Sequence, residues 1–143
     1  MLRLAAFRFA RRDAGQSLVE LALAVPLLLV TLLGLVDIGR AYVYQTAVIN
    51  SAREAALYAA KDPTVTSTDA AQRAWDESGF GDWGSAVDSS FTVTCAGCGT
   101  SATDVTVSVA YQFDLVSGYL FQRLLGVDTF IARGTATFRS LSQ

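Results

Sequence analysis

Gly15-Gln-Ser-Leu-Val-Glu20-Leu-Ala-Leu-Ala-Val25-Pro-Leu-Leu-Leu-Val30-Thr-Leu-Leu-Gly-Leu35-Val36 is the stretch on which the reading of this chain turns. From Leu18 to Val36 it carries a single charge, Glu20. A helix that is apolar on every side is a lipid-embedded helix or the centre of a large core. A chain of 143 residues is long enough for one domain and hardly more. The segment reads as a membrane span, and Glu20 is then out of place. A carboxylate costs about 2.5–3.5 kcal/mol at the centre of a span and less near its end. No Lys, Arg or His lies inside the segment to offset that cost.

Working outward, the residues before the span are basic. Arg3, Arg8, Arg11 and Arg12 precede Gly15, with Asp13 the one acid among them. The remaining residues hold most of the 13 acidic side chains and are net acidic. Arginines abutting an apolar run, with no interleaved aromatics, read as a cytoplasmic topology signal. They do not read as a nucleic-acid patch, and an acidic remainder disfavours a phosphate backbone as partner. The chain contains no histidine. That removes the commonest general base and the commonest metal ligand.

Residues 1–15 form a basic leader. A secretory signal is cut after its apolar core, at an Ala-x-Ala-like pattern. Past Val36 the nearest approach to one is Gly39-Arg40-Ala41, with an arginine inside it. A cut before the apolar run, at Gly15/Gln16, would leave the span on the mature protein. An uncleaved signal anchor is the alternative.

Residues 16–60 read as one long helix: a span over 16–38, then an extramembrane stem over 39–62. Pro26 removes a backbone donor, so a kink is expected near Ala22 to Pro26. Beyond Val36, Ala41, Val48, Ala52, Ala55 and Ala59 fall on one face, with Thr46, Asn50, Arg53, Glu54 and Lys61 opposite. The stem should end at Asp62-Pro63. Asp37 and Arg40, flanking Gly39 at the membrane exit, can pair on the helix surface for tenths of a kcal/mol, or remain two solvated charges. The small-residue stripe suits packing on the chain's own domain or on another subunit.

Residues 63–143 read as a small α+β domain. Thr66-Ser-Thr-Asp69 has the form of a helix start, and a short helix should run to about Ser78-Gly79. Phe80-Gly-Asp-Trp-Gly84 reads as a loop whose aromatics could bind a ligand, with anchoring of the loop to the core the favoured reading. Period-two alternation then marks Phe91–Cys95, Val105–Phe113 and Phe130–Phe138 as strands. A short helix is expected within Leu115–Leu125. The fold class is thus α+β, a long N-terminal helix packed on an antiparallel sheet of about three strands.

Cys95-x-x-Cys98 lies in the turn-rich stretch between the first two strands. Zinc needs four ligands, and no further Cys or His exists. A redox pair would open a helix after a strand. The favoured reading is a structural disulfide, suited to an oxidising compartment on the far side of the membrane. No nucleophile–base set assembles, and no cofactor is expected. The chain reads as a non-enzyme. The one charge in the span remains to be explained. A cut after Gly15 would expose an α-amino group on Gln16, and in a neighbouring subunit that ammonium can meet Glu20. A buried pair of this kind sets register more than it stabilises.

Arg11-Arg-Asp-Ala-Gly15-Gln16-Ser-Leu-Val-Glu20-Leu21, Val25-Pro26-Leu-Leu-Leu, Val36-Asp37-Ile-Gly39-Arg40-Ala-Tyr42 and Ala52-Arg53-Glu54-Ala-Ala together resemble TadE-like proteins, minor pseudopilins of tight-adherence (Flp-type) pilus systems. The resemblance is strong over residues 11–60 and weaker over 90–139. It implies a prepilin-peptidase site at Gly15/Gln16, with Glu20 at the fifth mature position. It implies bacterial inner-membrane insertion, a periplasmic domain, and a role in pilus assembly or priming beside other pilin subunits and the assembly platform. Leu21 departs from the aromatic frequent after this glutamate, and Gln16 from the Phe or Met familiar at the first mature position. An uncleaved single-pass protein with a small exported binding or adhesion domain is the alternative function.

Overall fold

A computed structural model describes residues 10–80, 90–126 and 128–141. Helix α1 runs from Ala10 to Lys61, 52 residues, or about 78 Å at 1.5 Å per residue. It begins before the expected residue 16, because Ala10–Ala14 are mostly good helix formers and Gly15 alone does not stop a helix. It continues through Pro26, where the missing N–H leaves the Ala22 carbonyl without its usual donor. From Leu18 to Ile38 its apolar side chains are largely uncovered; Leu23 is 73% and Leu27 70% exposed.

The helix stops where Pro63 disfavours helical geometry at the preceding residue. The Asp62 carboxylate accepts from the Thr64 hydroxyl at 2.7 Å and its N–H at 2.8 Å, turning the chain. These two bonds, the hydroxyl's first, hold the Asp62 carboxyl below its ordinary range. The Leu141 N–H donates to the Ala60 carbonyl at 2.9 Å, satisfying one of the carbonyls a helix end leaves open.

Helix α2 spans Ser67–Ser78. Its N-terminus is a reciprocal box, with Thr66 Oγ1 accepting from the Asp69 N–H and the Asp69 carboxylate from the Thr66 N–H. Gly79 ends it at φ 71°, a left-handed position that costs glycine nothing. Ala70, Ala74 and Trp75 are buried against α1.

Strands β1 (Phe91–Ala96), β2 (Asp104–Asp114) and β3 (Thr129–Arg139) form an antiparallel sheet in that order. Register pairs Phe91 with Tyr111, Cys95 with Val107, Val105 with Phe138 and Phe113 with Phe130. Helix α3, Gly118–Leu125, lies in the β2–β3 connection. Cys95 and Cys98 form a disulfide within the β1–β2 hairpin. Gly97 beside it has φ 93°, and a Cβ there would come within 2.7 Å of the Asp104 carbonyl oxygen.

One face of the sheet packs on α1. Val105, Val107, Val109, Phe91 and Ala132 are buried there in one cluster with Val48, Ala52, Ala55, Ala56 and Ala59, and Phe113 is buried beside Tyr44. The small-residue stripe therefore serves the chain's own domain, and Ser51 and Ala60 widen it. The opposite face is polar, with Thr106 bonded to Thr137 and Ser108 to Thr135.

Strand and helix backbones approach closely at Gly134. A Cβ there would lie 2.8 Å from both the Ile49 Cα and the Val48 carbonyl oxygen, so only glycine lets strand backbone reach helix backbone. One residue away, the Gln45 amide donates to the Arg133 carbonyl at 2.7 Å and accepts from the Arg133 N–H at 3.3 Å. It pairs the outer edge of β3 at that point, a direction in which no strand of the described sheet lies.

These contacts order the domain along the rod. Asp114 and Ser117 lie beside residues 37–40, Arg133 beside Gln45, Gly134 beside Ile49, and Leu141 beside Ala60. The β2–β3 connection with α3 is thus at the end nearest the apolar segment. The disulfide hairpin is at the far end, where Gly99 approaches Val65.

Candidate functional site

Two parts of α1 carry the charged residues singled out in the sequence. The first is the Gly15–Glu20 turn. Gly15 stands clear, with nothing within 4 Å of where a Cβ would be. The Gln16 side-chain amide donates to Glu20 Oε1 at 3.2 Å, one helical turn apart, and both side chains are exposed. Helical spacing alone could have found this pair. A neutral amide partners the carboxylate without neutralising its charge. Arg11 and Arg12 are on α1, while Arg3 and Arg8 lie outside the described residues.

The second part is at Asp37, which is only 5% exposed. It is not one of two solvated charges, nor half of a simple surface pair. Its Oδ1 accepts from the Val116 N–H at 2.8 Å, and its Oδ2 from the Ser117 N–H at 2.9 Å. The Ser117 hydroxyl also donates to Oδ2. The carboxylate thereby caps the turn after β2, 79 and 80 positions along the chain. Nothing in the local sequence of either segment announces that long-range bond; a serine in an apolar stretch before a glycine is its only signal.

Arg40 completes the clamp. Its Nη1 lies 3.6 Å from Asp37 Oδ1 and donates to the Asp114 carbonyl at 3.2 Å. The guanidinium sits 5.7 Å from the Tyr44 ring centre and 5.6 Å from that of Phe113, within cation–π range. Gly39, between the two charged residues, faces away, and a Cβ there would meet nothing. The structure thus brings Asp37 and Arg40 together with β2 and leaves Gly39 apart.

Beyond the clamp lies an aromatic cluster. Tyr44 touches Phe80, Tyr111 and Phe113, and Phe80 stacks on Tyr111 at 4.3 Å. Phe80 packs within this cluster, while the rest of the aromatic loop expected from the sequence, Gly81–Gly84, lies outside the described residues. Trp75 meets Phe91 edge to face at 4.8 Å. Such rings are core packing. The two cysteines are both oxidised and present no thiol. The cleft between α1 and α2 holds a surface ion pair, Arg73 to Glu54 at 3.0 Å.

The chemistry of this arrangement is that of attachment. An exposed apolar helix with one carboxylate near its start can join other apolar matter, and the Asp37 clamp fixes the α+β domain to that helix. Residues 15–57 match the family model described as TadE-like protein, covering the apolar segment, the clamp's helix side and most of the stem. No curated protein and no solved structure matches the chain.

Proposed function

We propose, taking the TadE-like character of residues 15–57 as the premise, that this chain is a non-enzymatic minor pseudopilin-like protein of a tight-adherence pilus system. In this reading residues 1–15 are a cytoplasmic leader, 16–38 span the bacterial inner membrane, 39–62 form the stem, and 63–143 a periplasmic domain. A prepilin peptidase removes the leader after Gly15. The mature helix then packs among other pilin or pseudopilin helices at the assembly platform and acts in assembly or priming.

One observation carries the proposal. Glu20 is the single charge from Leu18 to Val36 on an exposed apolar helix, five residues after Gly15, inside the TadE-like match. A carboxylate placed so has a use when a cation arrives with another subunit. The new α-amino group on Gln16 is such a cation. It also gives a reason for Gln16 to stand beside Glu20: the same residue supplies an amide before the cut and an ammonium after it.

Cleavage requires the backbone at Gly15 to open, whereas α1 runs unbroken through it. Gly15 makes local unwinding easy, being about 1 kcal/mol poorer than Ala in a helix. The unbroken helix also favours a second reading, an uncleaved anchor with an exported binding domain. Co-expression with a prepilin peptidase separates the two. The first predicts loss of residues 1–15 by mass and N-terminal sequencing, blocked in Gly15→Ala. It further predicts that Glu20→Leu inserts normally yet abolishes piliation. A mature N-terminus at Met1 with an active peptidase, or normal piliation in Glu20→Leu, overturns it.

A further inference from the structure

We infer that the β2–β3 connection, with helix α3, is a second membrane contact: it rests in the headgroup layer of the same bilayer that α1 crosses. The inference rests on the membrane span proposed above. It adds that the domain is held against the lipid surface and does not swing on its stem.

The argument starts from position. The Val116 and Ser117 N–H groups are bonded to Asp37, and Asp37 directly follows the last residue of the apolar run. From Leu18 to Val36 the helix rises about 28 Å, close to the ~30 Å hydrocarbon thickness of a bilayer. Asp37 therefore stands where hydrocarbon gives way to headgroups, and the start of α3 stands beside it. The interfacial layer is only about 5–7 Å deep on each side, so α3 cannot be far from it.

Composition and exposure agree. The sequence of α3 is three leucines, a phenylalanine and a tyrosine after Gly118, with Gln122 and Arg123 its polar residues, a mixture of apolar, aromatic and basic side chains that suits a helix at an interface. At its entry Val116 is 55% and Tyr119 75% exposed. Tyrosine is favoured at a membrane interface, where its ring is covered by lipid and its hydroxyl stays wet. Lipid is the occupant because Val116 and Ser117 are bonded to the residue that directly follows the apolar run, which puts the exposed Val116 and Tyr119 at the level where that run ends.

The test uses the full chain, with its Cys95–Cys98 disulfide intact, reconstituted in phosphatidylethanolamine–phosphatidylglycerol vesicles. A single environment-sensitive fluorophore is attached at Val116→Cys or Tyr119→Cys, both solvent-facing and tolerant of a label. Thr94→Cys on the open sheet face is the water-exposed control, and Leu28→Cys the reference in the span. The expected result is blue-shifted emission at 116 and 119, quenched by lipids carrying a nitroxide near the headgroup, with Thr94→Cys unmoved. Water-like emission at both positions while Leu28→Cys reports lipid overturns this inference alone. Water-like emission at Leu28→Cys as well overturns the membrane span itself. Protection at 119 that appears only as the protein-to-lipid ratio rises identifies a second copy as the occupant and also overturns it.

Discussion

Asp37 and Gly134 hold two points of the helix–sheet contact, and each does so by a property no other residue shares at that site. Asp37 is buried and accepts from two backbone N–H groups and one hydroxyl. Asp37→Ala leaves those donors unmet, and an unmet buried donor costs about 1–3 kcal/mol. The urea midpoint of the detergent-solubilised protein should fall accordingly; Asp37→Asn, which keeps one acceptor, should fall less. At Gly134 the added methyl of Gly134→Ala has backbone, not a flexible side chain, 2.8 Å away. Overpacking of that kind costs about 1–3 kcal/mol. The same unfolding measurement should show it, and an unchanged midpoint would mean that strand and helix are not in contact there. Local sequence gives both residues lesser roles. Asp37 reads there as half of a surface pair, and Gly134 only as a position within the strand Phe130–Phe138. Their importance comes from contacts across some 80 positions, which no local pattern encodes.

At the scale of elements, the legible patterns are those with a period or a cap. The Thr66–Asp69 start, the Gly79 stop, three alternating strands and the Asp62-Pro63 break all arise from residues within a turn of each other. Two bonds from Thr66, its hydroxyl first and its N–H second, hold the Asp69 carboxyl below its ordinary value near 3.8. A carboxylate whose folded value is depressed contributes its full stabilisation above the unfolded value and loses it as pH falls through the folded one. Hydrogen exchange of the α2 amides should therefore accelerate below about pH 3.8, relative to the β2 amides. Thr66→Ala should remove most of that acid sensitivity, and if it does not, the box is not what holds the helix start. The disulfide spans a loop far shorter than the 15 residues for which chain entropy supplies about 3 kcal/mol. Replacing both cysteines by serine should lower stability by less than about 3 kcal/mol and leave the fold intact by circular dichroism.

For the whole molecule, the apolar segment and the stem are parts of one helix, and the sheet domain grips that helix from Asp37 to Ala60. The face on which Glu20 lies is therefore fixed relative to the sheet. One alanine inserted between Val36 and Asp37 leaves every clamp contact intact but turns the span by about 100°. Such a variant should insert and resist protease like the parent, yet lose piliation if Glu20 must meet a neighbour while the domain keeps its place. Retained piliation would show that span and domain act independently. The resemblance over residues 11–60 makes the proposed attachment role legible, because a single acid in an apolar run is visible without coordinates. The clamp that ties attachment to shape is not legible, since its two sides belong to separate segments.

The course of β3 along the stem has a mechanical consequence. From Arg133 beside Gln45 to Leu141 beside Ala60, the strand and the rod advance in the same direction. Ladder bonds in an antiparallel sheet lie across the strands. Tension applied along the rod therefore loads the β2–β3 bonds together, in shear, and does not peel them apart singly. A subunit anchored in a bilayer at one end and pulled from the other would resist extension along this axis better than along any direction that lifts the sheet from the helix.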